Sequence, residues 1–185
     1  ILNKDDKFFD FLSNKAKKRE INVISFGSKK KADVFLLDKR NMKNNHKLKV
    51  MIKDKIYYFN VKYFTNNFVN NFLACISILS ALNLDLNYIE KKFIDFEIPI
   101  GRGDITVVKK FKKKFKFIDE SYNANPLSMV SAIQNMSYYK RRYNTRKLVL
   151  LGDMLELGKK SEKLHKKLSI AINKSDIDKV FVYGK

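Results

Sequence analysis

Residues 147–152 read Lys-Leu-Val-Leu-Leu-Gly, a near-continuous apolar run that ends at a glycine. Such a run is typical of a parallel strand buried on both faces, because a strand with one face in water alternates apolar and polar residues. Two further strands are predicted at 115–119 and 179–184. A helix with Pro126 in its first turn and a helix capped by Ser161 separate the three strands. This order predicts a doubly wound, Rossmann-like α/β domain with a mainly parallel sheet.

The residues before this domain predict an α+β region. Apolar residues repeat at helical spacing in some of its segments and at strand spacing in others. Helices are predicted at 7–18, 66–82 and 87–96, and strands at 22–27, 32–37, 47–52 and 56–61. Pro99, Gly101 and Gly103 then interrupt the pattern. We therefore expect two domains, residues 1–98 and an incomplete domain at 99–185.

The chain is strongly basic, with 39 Lys and Arg against 19 Asp and Glu among its 185 residues, a formal net charge of +20. Nucleic acids and anionic membrane surfaces are the usual partners of such a charge. The lysines are dispersed along every segment, however, and the densest group, at 109–114, alternates with phenylalanines as in an exposed β-ribbon. We therefore expect a solvated face and no nucleic-acid partner.

Several kinds of site are not indicated. Cys75 is the single cysteine, so it cannot form an intramolecular disulfide, and two separated histidines do not suggest a zinc site. The longest apolar stretch, 68–84, is too short and too polar for a membrane span. No signal-peptide pattern opens the chain, which begins at Ile1. We expect no metal ligands here, no membrane insertion, and a fragment of a cytoplasmic protein.

Polar loops follow two of the predicted parallel strands, at 119–126 and 152–158. Because ligands of such sheets bind outside the carboxyl ends of the strands, both loops are expected to face one crevice. Their carboxylates and amides can hydrogen-bond ribose hydroxyls, an ammonium group or an adenine edge. The alternative, equally compatible with the spacing, is that Asp119, Asn123 and Asn125 only form turns and cap a helix.

These loops also carry a resemblance to a known family. The motifs are Asp119-Glu120-Ser121-Tyr122-Asn123-Ala124-Asn125-Pro126-Leu127-Ser128-Met129, Leu151-Gly152-Asp153-Met154-Leu155-Glu156-Leu157-Gly158, Pro99-Ile100-Gly101-Arg102-Gly103 and Ile1-Leu2-Asn3-x-Asp5. In this order they resemble the Mur ligases, and among these the ligases that add D-alanyl-D-alanine to UDP-N-acetylmuramoyl tripeptide. The resemblance covers nearly the whole chain. It implies the end of a central ATP-binding domain followed by a truncated Rossmann-like C-terminal domain.

The resemblance implies an activity in peptidoglycan precursor synthesis. In this family ATP phosphorylates the tripeptide carboxylate, and the amino group of D-alanyl-D-alanine then attacks the acyl phosphate to form an amide. The implied cofactors are ATP and Mg²⁺, the implied partners are UDP-N-acetylmuramoyl tripeptide and D-alanyl-D-alanine, and we expect a cytoplasmic monomer. Arg102 matches the hinge arginine that reaches the ATP phosphates, where a guanidinium binds oxygens bidentately. The alternative for Arg102 is an ordinary surface arginine.

Other residues match nucleotide-binding positions of the family. Asn71 matches an asparagine near the adenine, although it could simply be a polar residue of a helix. Asp119 or Glu120 matches the acidic residue associated with the ribose hydroxyls. Asn123 and Asn125 are expected to order this loop or to touch the nucleotide.

The second loop is expected to lie near the acceptor dipeptide. There the resemblance places Asp153 and Glu156, with Asp153 as a partner for the ammonium group. His165 lies on a predicted helix beside Leu164 and Leu168, and we expect it to pack or cap rather than to catalyse.

The chain also departs from the family pattern. Asn66-Asn67-Phe68-Val69 stands where relatives carry Gly-x-His-Asn, and there is no Gly-x-x-x-x-Gly-Lys-Ser/Thr phosphate loop. The magnesium-binding glutamate and histidine and the modified lysine of the family are expected upstream of Ile1, so we expect this fragment to be inactive. Alternatives are another amide-forming Mur ligase, a folylpolyglutamate synthase, a basic nucleic-acid-binding module, and a remnant that binds a partner without catalysis.

Overall fold

In the computed structural model, which describes residues 1–42, 45–141 and 143–184, the chain divides into two units, Ile1–Phe96 and Glu97–Lys185. None of the helices among these residues is both long and apolar enough to cross a membrane. Helices and strands occur in both units, so the mixed α/β class predicted from the sequence is confirmed.

The first unit is a five-stranded sheet with three helices. Its strands are β1 (Leu2–Asn3), β2 (Ser25–Gly27), β3 (Val34–Asn41), β4 (His46–Ile52) and β5 (Lys55–Val61), and its helices are α1 (Phe9–Lys17), α2 (Asn66–Ala81) and α3 (Leu86–Phe93). The strands lie in the order in which they occur in the chain; β1–β2 and β2–β3 are parallel, whereas β3–β4 and β4–β5 are antiparallel. Every predicted helix and strand of this region is present, with its ends shifted by a few residues.

The core of the first unit lies between α2 and the sheet. Alternate residues of β4 and β5 are buried, as expected for strands with one face against a core. The buried residues of α2 recur at helical spacing and pack on this face: Val69, Phe72, Leu73, Ile76, Ser77 and Ser80. The Thr65 hydroxyl accepts a hydrogen bond from the Phe68 N–H at 3.3 Å, so the start of α2 is capped.

Asp5 joins the end of β1 to the loop after β2. Its carboxylate accepts hydrogen bonds from the backbone N–H groups of Ser28 at 2.6 Å, Lys30 at 2.9 Å and Lys29 at 3.1 Å. Burial alone would raise the pKa of Asp5, but the hydrogen bonds from Ser28, Lys30 and Lys29 outweigh it, and the pKa is lowered. The aspartate of the opening motif therefore has a structural role in this fold.

The second unit contains two separate two-stranded sheets. Its strands are β6 (Asp104–Lys110), β7 (Lys113–Asp119), β8 (Leu148–Leu151) and β9 (Lys179–Val182), and its helices are α4 (Pro126–Asn135) and α5 (Ser161–Asn173). The predicted parallel pairing is confirmed for β8 and β9. The prediction that 115–119 joins this sheet is wrong, because β7 pairs antiparallel with β6. A two-residue turn places β6 directly beside β7, and such local pairing has a small loop-closure cost.

Two local predictions for this unit are also wrong. β8 is not buried on both faces, since Leu148 and Leu150 are 48% and 74% exposed. Leu151, in contrast, packs with the buried residues Ile133 of α4 and Leu168 of α5. Ser161 is the first residue of α5 rather than its cap, because residues Gly158–Lys160 form a 3₁₀ turn that continues directly into the helix.

A charged network holds the start of β8. The Lys147 side chain is 8% exposed, and its Nζ donates to the Met136 carbonyl at 2.7 Å and to Asp176 Oδ2 at 2.6 Å. The Lys147 N–H donates to Asp178 Oδ2 at 2.7 Å, and Arg141 binds Asp178 at 2.8 Å. This network lies at the end of β8 opposite to the loop at 152–158.

Candidate functional site

The hinge motif, residues 99–103, and the first polar loop, residues 119–126, meet at the base of the ribbon that β6 and β7 form, where Asp104 and Asp119 lie. Asp104 and Asp119 are directly opposite each other in the ladder. The Gly101 N–H donates to Asp104 Oδ1 at 2.7 Å, the Gly103 N–H donates to the Asp119 carbonyl at 2.6 Å, and the Tyr122 N–H donates to the Gly101 carbonyl at 3.0 Å. The hinge turn is therefore tied to the strand end that carries the acidic residues.

Two glycines make this close approach possible. Gly101 and Gly103 have φ angles of +77° and +96°, which side chains disfavour. A Cβ on Gly101 would lie 3.1 Å from the backbone nitrogen of Tyr122, and one on Gly103 would lie 3.1 Å from Glu120 Oε1. Larger residues would thus displace the hinge turn from the loop.

Arg102 is exposed on this turn and stacks on Tyr122. Its guanidinium carbon lies 4.0 Å from the centroid of the Tyr122 ring. Its backbone N–H donates to the Pro99 carbonyl at 3.2 Å. A guanidinium held by its face keeps the planar N–H edge for bidentate binding of anionic oxygens. The geometry of Arg102 is therefore compatible with a phosphate contact.

The two adjacent carboxylates have opposite electrostatic environments. The pKa of Asp119 is lowered by hydrogen bonds from the Ser121 side chain and backbone, the latter at 2.9 Å. The pKa of Glu120 is raised, first by burial of its carboxylate and then by the charges of Asp104 and Asp119. The lowered pKa keeps Asp119 ionised over a wider pH range than Glu120, and an ionised carboxylate is the stronger acceptor for hydroxyl groups, which favours Asp119 as the partner of a ribose.

We predict that Glu120→Gln stabilises the second unit at neutral pH but not in acid. Ionised Glu120 is disfavoured only in the folded state, so the penalty is absent below the ordinary glutamate pKa of 4.5, grows as the pH rises from there to the higher folded pKa, and is complete above it. The carboxylate of Glu120 is partly shielded from water, but the residue as a whole is exposed, so solvent screening should limit the gain to about 0.5 kcal/mol at most. Urea unfolding at pH 7 and pH 3 measures it. Glu156→Gln, at an exposed site, is the control; equal midpoints for Glu120→Gln and the parent at pH 7 would contradict the prediction.

The asparagines of the first loop differ in their contacts. Asn125 caps α4: its Oδ1 accepts from the N–H groups of Leu127 and Ser128, both at 3.0 Å, and the Ser128 hydroxyl accepts from the Asn125 N–H at 3.0 Å. This capping box is the structural alternative considered for Asn125. Asn123 is exposed. A contact of either residue with a nucleotide stays a prediction.

His165 braces the second loop. Its Nε2 accepts from the Met154 N–H at 2.9 Å, while its Nδ1 lies 2.9 Å from the Ser161 carbonyl, which can only accept. These two contacts assign a proton to Nδ1 and the acceptor role to Nε2. Asp153 Oδ1 lies 3.8 Å from Nε2, and Glu156 is exposed with a φ of +61°. His165 has the capping contacts expected of it, and it holds the segment that carries Asp153.

The two loops adjoin one apolar cluster. Ala124 of the first loop and Met154 and Leu157 of the second pack in a cluster whose centre includes Ile133 and Leu168. Both loops therefore pack on the same cluster even though β7 and β8 belong to different sheets. This common support provides the physical basis for a shared binding edge.

The predicted site residues fall into three groups. Arg102, Asp119 and Glu120 come together at the ribbon base, with Asn123 and Asn125 following in the same loop, and Asp153 and Glu156 lie on the loop after β8. Asn71 belongs to the first unit, where it is exposed on α2.

Sequence reasoning missed Tyr122 and Asp104. Tyr122 stood in the quoted loop motif, and its aromatic face could have suggested a partner for Arg102. Asp104 could be placed only after the ribbon register was known, because this register sets it opposite Asp119.

The described part of the chain does not supply an evident metal centre. Within residues 1–42, 45–141 and 143–184, no three His, Cys, Asp or Glu side chains are grouped so that they could hold a metal ion. These residues do not fit a Mg²⁺ site, and no chemical step is assigned to Mg²⁺ through them.

Comparison with known proteins assigns both units. Residues 1–79 match the family model of the Mur ligase middle domain, and residues 104–185 match that of the Mur ligase glutamate ligase domain. The chain is 28% identical over 185 residues to the UDP-N-acetylmuramoyl-tripeptide–D-alanyl-D-alanine ligase of Rickettsia prowazekii (strain Madrid E). The alignment includes 100% of this chain and 40% of that relative, so the chain spans about two fifths of the relative's length.

Solved structures share the fold. MurF from Acinetobacter baumannii superposes with a TM-score of 0.85 at 24% identity, covering 100% of this chain and 38% of that chain. MurF ligase from Thermotoga maritima in complex with ADP gives a TM-score of 0.73 at 23% identity, covering 95% of this chain and 38% of that chain. The two domain matches together extend over most of the sequence, and the chain therefore belongs to the Mur ligase family.

Proposed function

We propose that this chain forms part of an ATP-dependent ligase that joins D-alanyl-D-alanine to UDP-N-acetylmuramoyl tripeptide in cytoplasmic peptidoglycan synthesis. The observation that carries the proposal is the ribbon base, where stacked Arg102 and ionised Asp119 adjoin a loop with this ligase's motif. The name of the Rickettsia relative, which aligns with the whole chain, supports the same assignment.

The ribbon base has the chemistry to bind a nucleotide. When bound, ATP supplies the phosphoryl group that converts the tripeptide carboxylate into an acyl phosphate. Arg102 would hold the phosphate oxygens and offset their charge, since its guanidinium is permanently charged and oriented by Tyr122. Asp119 would accept hydrogen bonds from the ribose hydroxyls, with Asn123 and Asn125 ordering the loop. Asn71 would hydrogen-bond the adenine edge from the first unit.

The loop after β8 has the chemistry to bind the acceptor. Asp153 would pair with the ammonium group of D-alanyl-D-alanine and place its nitrogen for attack, with Glu156 nearby. His165 would position this segment through the Met154 N–H without touching the substrates. Positioning is a large part of catalysis in such a reaction, because the amine must meet a short-lived acyl phosphate.

The proposal places this chain within a longer, monomeric protein in which other segments supply part of the active site. The chain has no Gly-x-x-x-x-Gly-Lys-Ser/Thr sequence, and its described residues do not fit a metal centre. The phosphate loop and the Mg²⁺ ligands would then be supplied by segments outside these residues. We accordingly expect no ligase activity from these 185 residues alone.

Phosphate release tests the proposed activity. The complete gene product that contains this chain is given ATP, Mg²⁺ and UDP-N-acetylmuramoyl tripeptide, with and without D-alanyl-D-alanine. Release that depends on the dipeptide is expected, and the isolated 185-residue chain is the negative control. No dipeptide-dependent release from the folded complete protein would overturn the assignment. Release with a single amino acid as acceptor would instead indicate another amide-forming Mur ligase or a folylpolyglutamate synthase.

A further inference from the structure

The tip of the β6–β7 ribbon, residues 109–114, has an unfavourable backbone for its sequence. Phe111 and Lys112 form the turn, with φ angles of +52° and +57°. Turns of this kind favour Asn-Gly, and a phenylalanine in the left-handed region is disfavoured by its side chain. The Phe111 side chain is 82% exposed, so no packing of the ring into a core compensates.

The charges of the ribbon tip are also unfavourable for the isolated hairpin. Lys109 lies directly opposite Lys114, and Lys110 lies directly opposite Lys113. Like charges in such cross-strand pairs destabilise a ribbon. The sequence between Ile105 and Ile118 contains no acidic residue that could offset them. The ribbon tip thus combines an exposed aromatic ring on a strained turn with concentrated positive charge.

We propose that the ribbon tip adsorbs to an anionic phospholipid surface. There the lysine ammonium groups would pair with headgroup phosphates, which removes their mutual repulsion, and the Phe111 ring would enter the boundary between headgroups and acyl chains. Phe115 and Phe117, which are about half exposed on one face of the ribbon, extend the apolar surface behind the tip. The contact is peripheral and requires no membrane-spanning helix.

The composition of the tip favours lipid over nucleic acid. The ribbon contains no arginine, whose planar group is the usual choice for phosphate and base recognition in nucleic acids. Single-stranded nucleic acids are bound on a series of aromatic rings along a basic groove, whereas Phe111 lies in the turn itself, apart from the pair Phe115 and Phe117 on one face of the ribbon. This surface is separate from the ribbon base, so the lipid proposal does not depend on the ligase proposal.

Vesicle co-sedimentation of the 185-residue chain tests the proposal. The reference condition is vesicles of phosphatidylcholine with 30% phosphatidylglycerol at about 100 mM salt. Binding is compared with that to pure phosphatidylcholine vesicles at the same salt. It is also compared with binding to the anionic vesicles at about 500 mM salt, since screening weakens contacts between charges. Lys109, Lys110, Lys113 and Lys114 are changed together to Gln. The control changes Lys18, Lys29, Lys30 and Lys31 to Gln, which lowers the net charge of +20 by the same four charges. Phe111→Asn with Lys112→Gly removes the aromatic tip while giving the turn its preferred residues.

The expected result is binding only to the anionic vesicles and only at low salt. Because each lysine contributes about fivefold to the partition coefficient, the loss of all four should weaken binding of the tip variant on the order of several hundredfold, whereas the control should bind within about twofold of the parent. The turn variant should also bind more weakly while its unfolding midpoint is kept or raised. Equal losses in tip and control variants, no binding by the folded parent, or tighter binding to a single-stranded oligonucleotide than to vesicles would each overturn the proposal.

Discussion

Replacing Phe59 by alanine is expected to reduce the unfolding free energy of the first unit by about 3–5 kcal/mol. Phe59 is 0% exposed on β5, and its ring lies 5.0 Å from that of Phe72 on α2 and 6.3 Å from that of Phe93 on α3. Truncation removes the side chain that joins both helices to the sheet and leaves a cavity between them. Since domains are stable by only about 5–15 kcal/mol, this loss approaches the total. Urea denaturation followed by circular dichroism measures it.

Tyr58→Ala is the matched control for this substitution. Tyr58 is the preceding residue of the same strand, so its side chain points to the opposite face, where it is 44% exposed. We expect a loss of about 1 kcal/mol or less from the control. Comparable losses for the two variants would show that the packing of β5 against α2 and α3 is not the main support of this unit.

Replacing Arg102 by alanine in the complete gene product is expected to lower kcat for dipeptide-dependent phosphate release by about 100- to 1000-fold. The proposed role of Arg102 is to bind phosphate oxygens during phosphoryl transfer. Because Arg102 is exposed and its guanidinium stacks on the exposed ring of Tyr122, its loss should change stability little. Arg102→Lys should recover only part of the rate, since an ammonium group lacks the planar paired donors. Steady-state phosphate release and thermal unfolding of the same preparations measure both effects.

Two further variants separate charge from orientation at this site. Tyr122→Phe keeps the ring beneath the guanidinium and should retain nearly normal activity, whereas Tyr122→Ala should lose part of the rate. Arg146→Ala, at an exposed arginine elsewhere in the second unit, controls for the loss of one positive charge. Normal turnover by Arg102→Ala would show that Arg102 has no part in the reaction.

Local patterns predicted the helices and strands of the first unit well. The apolar spacing along α2 and along the strands β4 and β5 is encoded by neighbouring residues, so it can be recognised without the fold. The errors arose where a local signal is ambiguous. Ser161 has the chemistry of a cap but lies inside the helix, and the apolar run of β8 is compatible with burial on one face or on two.

The candidate site was predictable in its residues but only partly in its contacts. The motifs singled out Arg102, Asp119 and Asp153 because their order along the chain resembles one family of ligases. The stacking of Tyr122 on Arg102 and the opposite pKa shifts of Asp119 and Glu120 could not be inferred, since both depend on distances between separate segments.

By itself the sequence determined the α/β class, the positions of most elements and the family, because periodicity, turn residues and motif order are properties of the chain. Only the tertiary structure decided that β7 pairs with β6, that Asp104 faces Asp119, and that His165 holds the Met154 N–H. Strand register and hydrogen-bond partners depend on which groups, distant in the sequence, come within about 3 Å of each other. These distances are set only when the chain is folded.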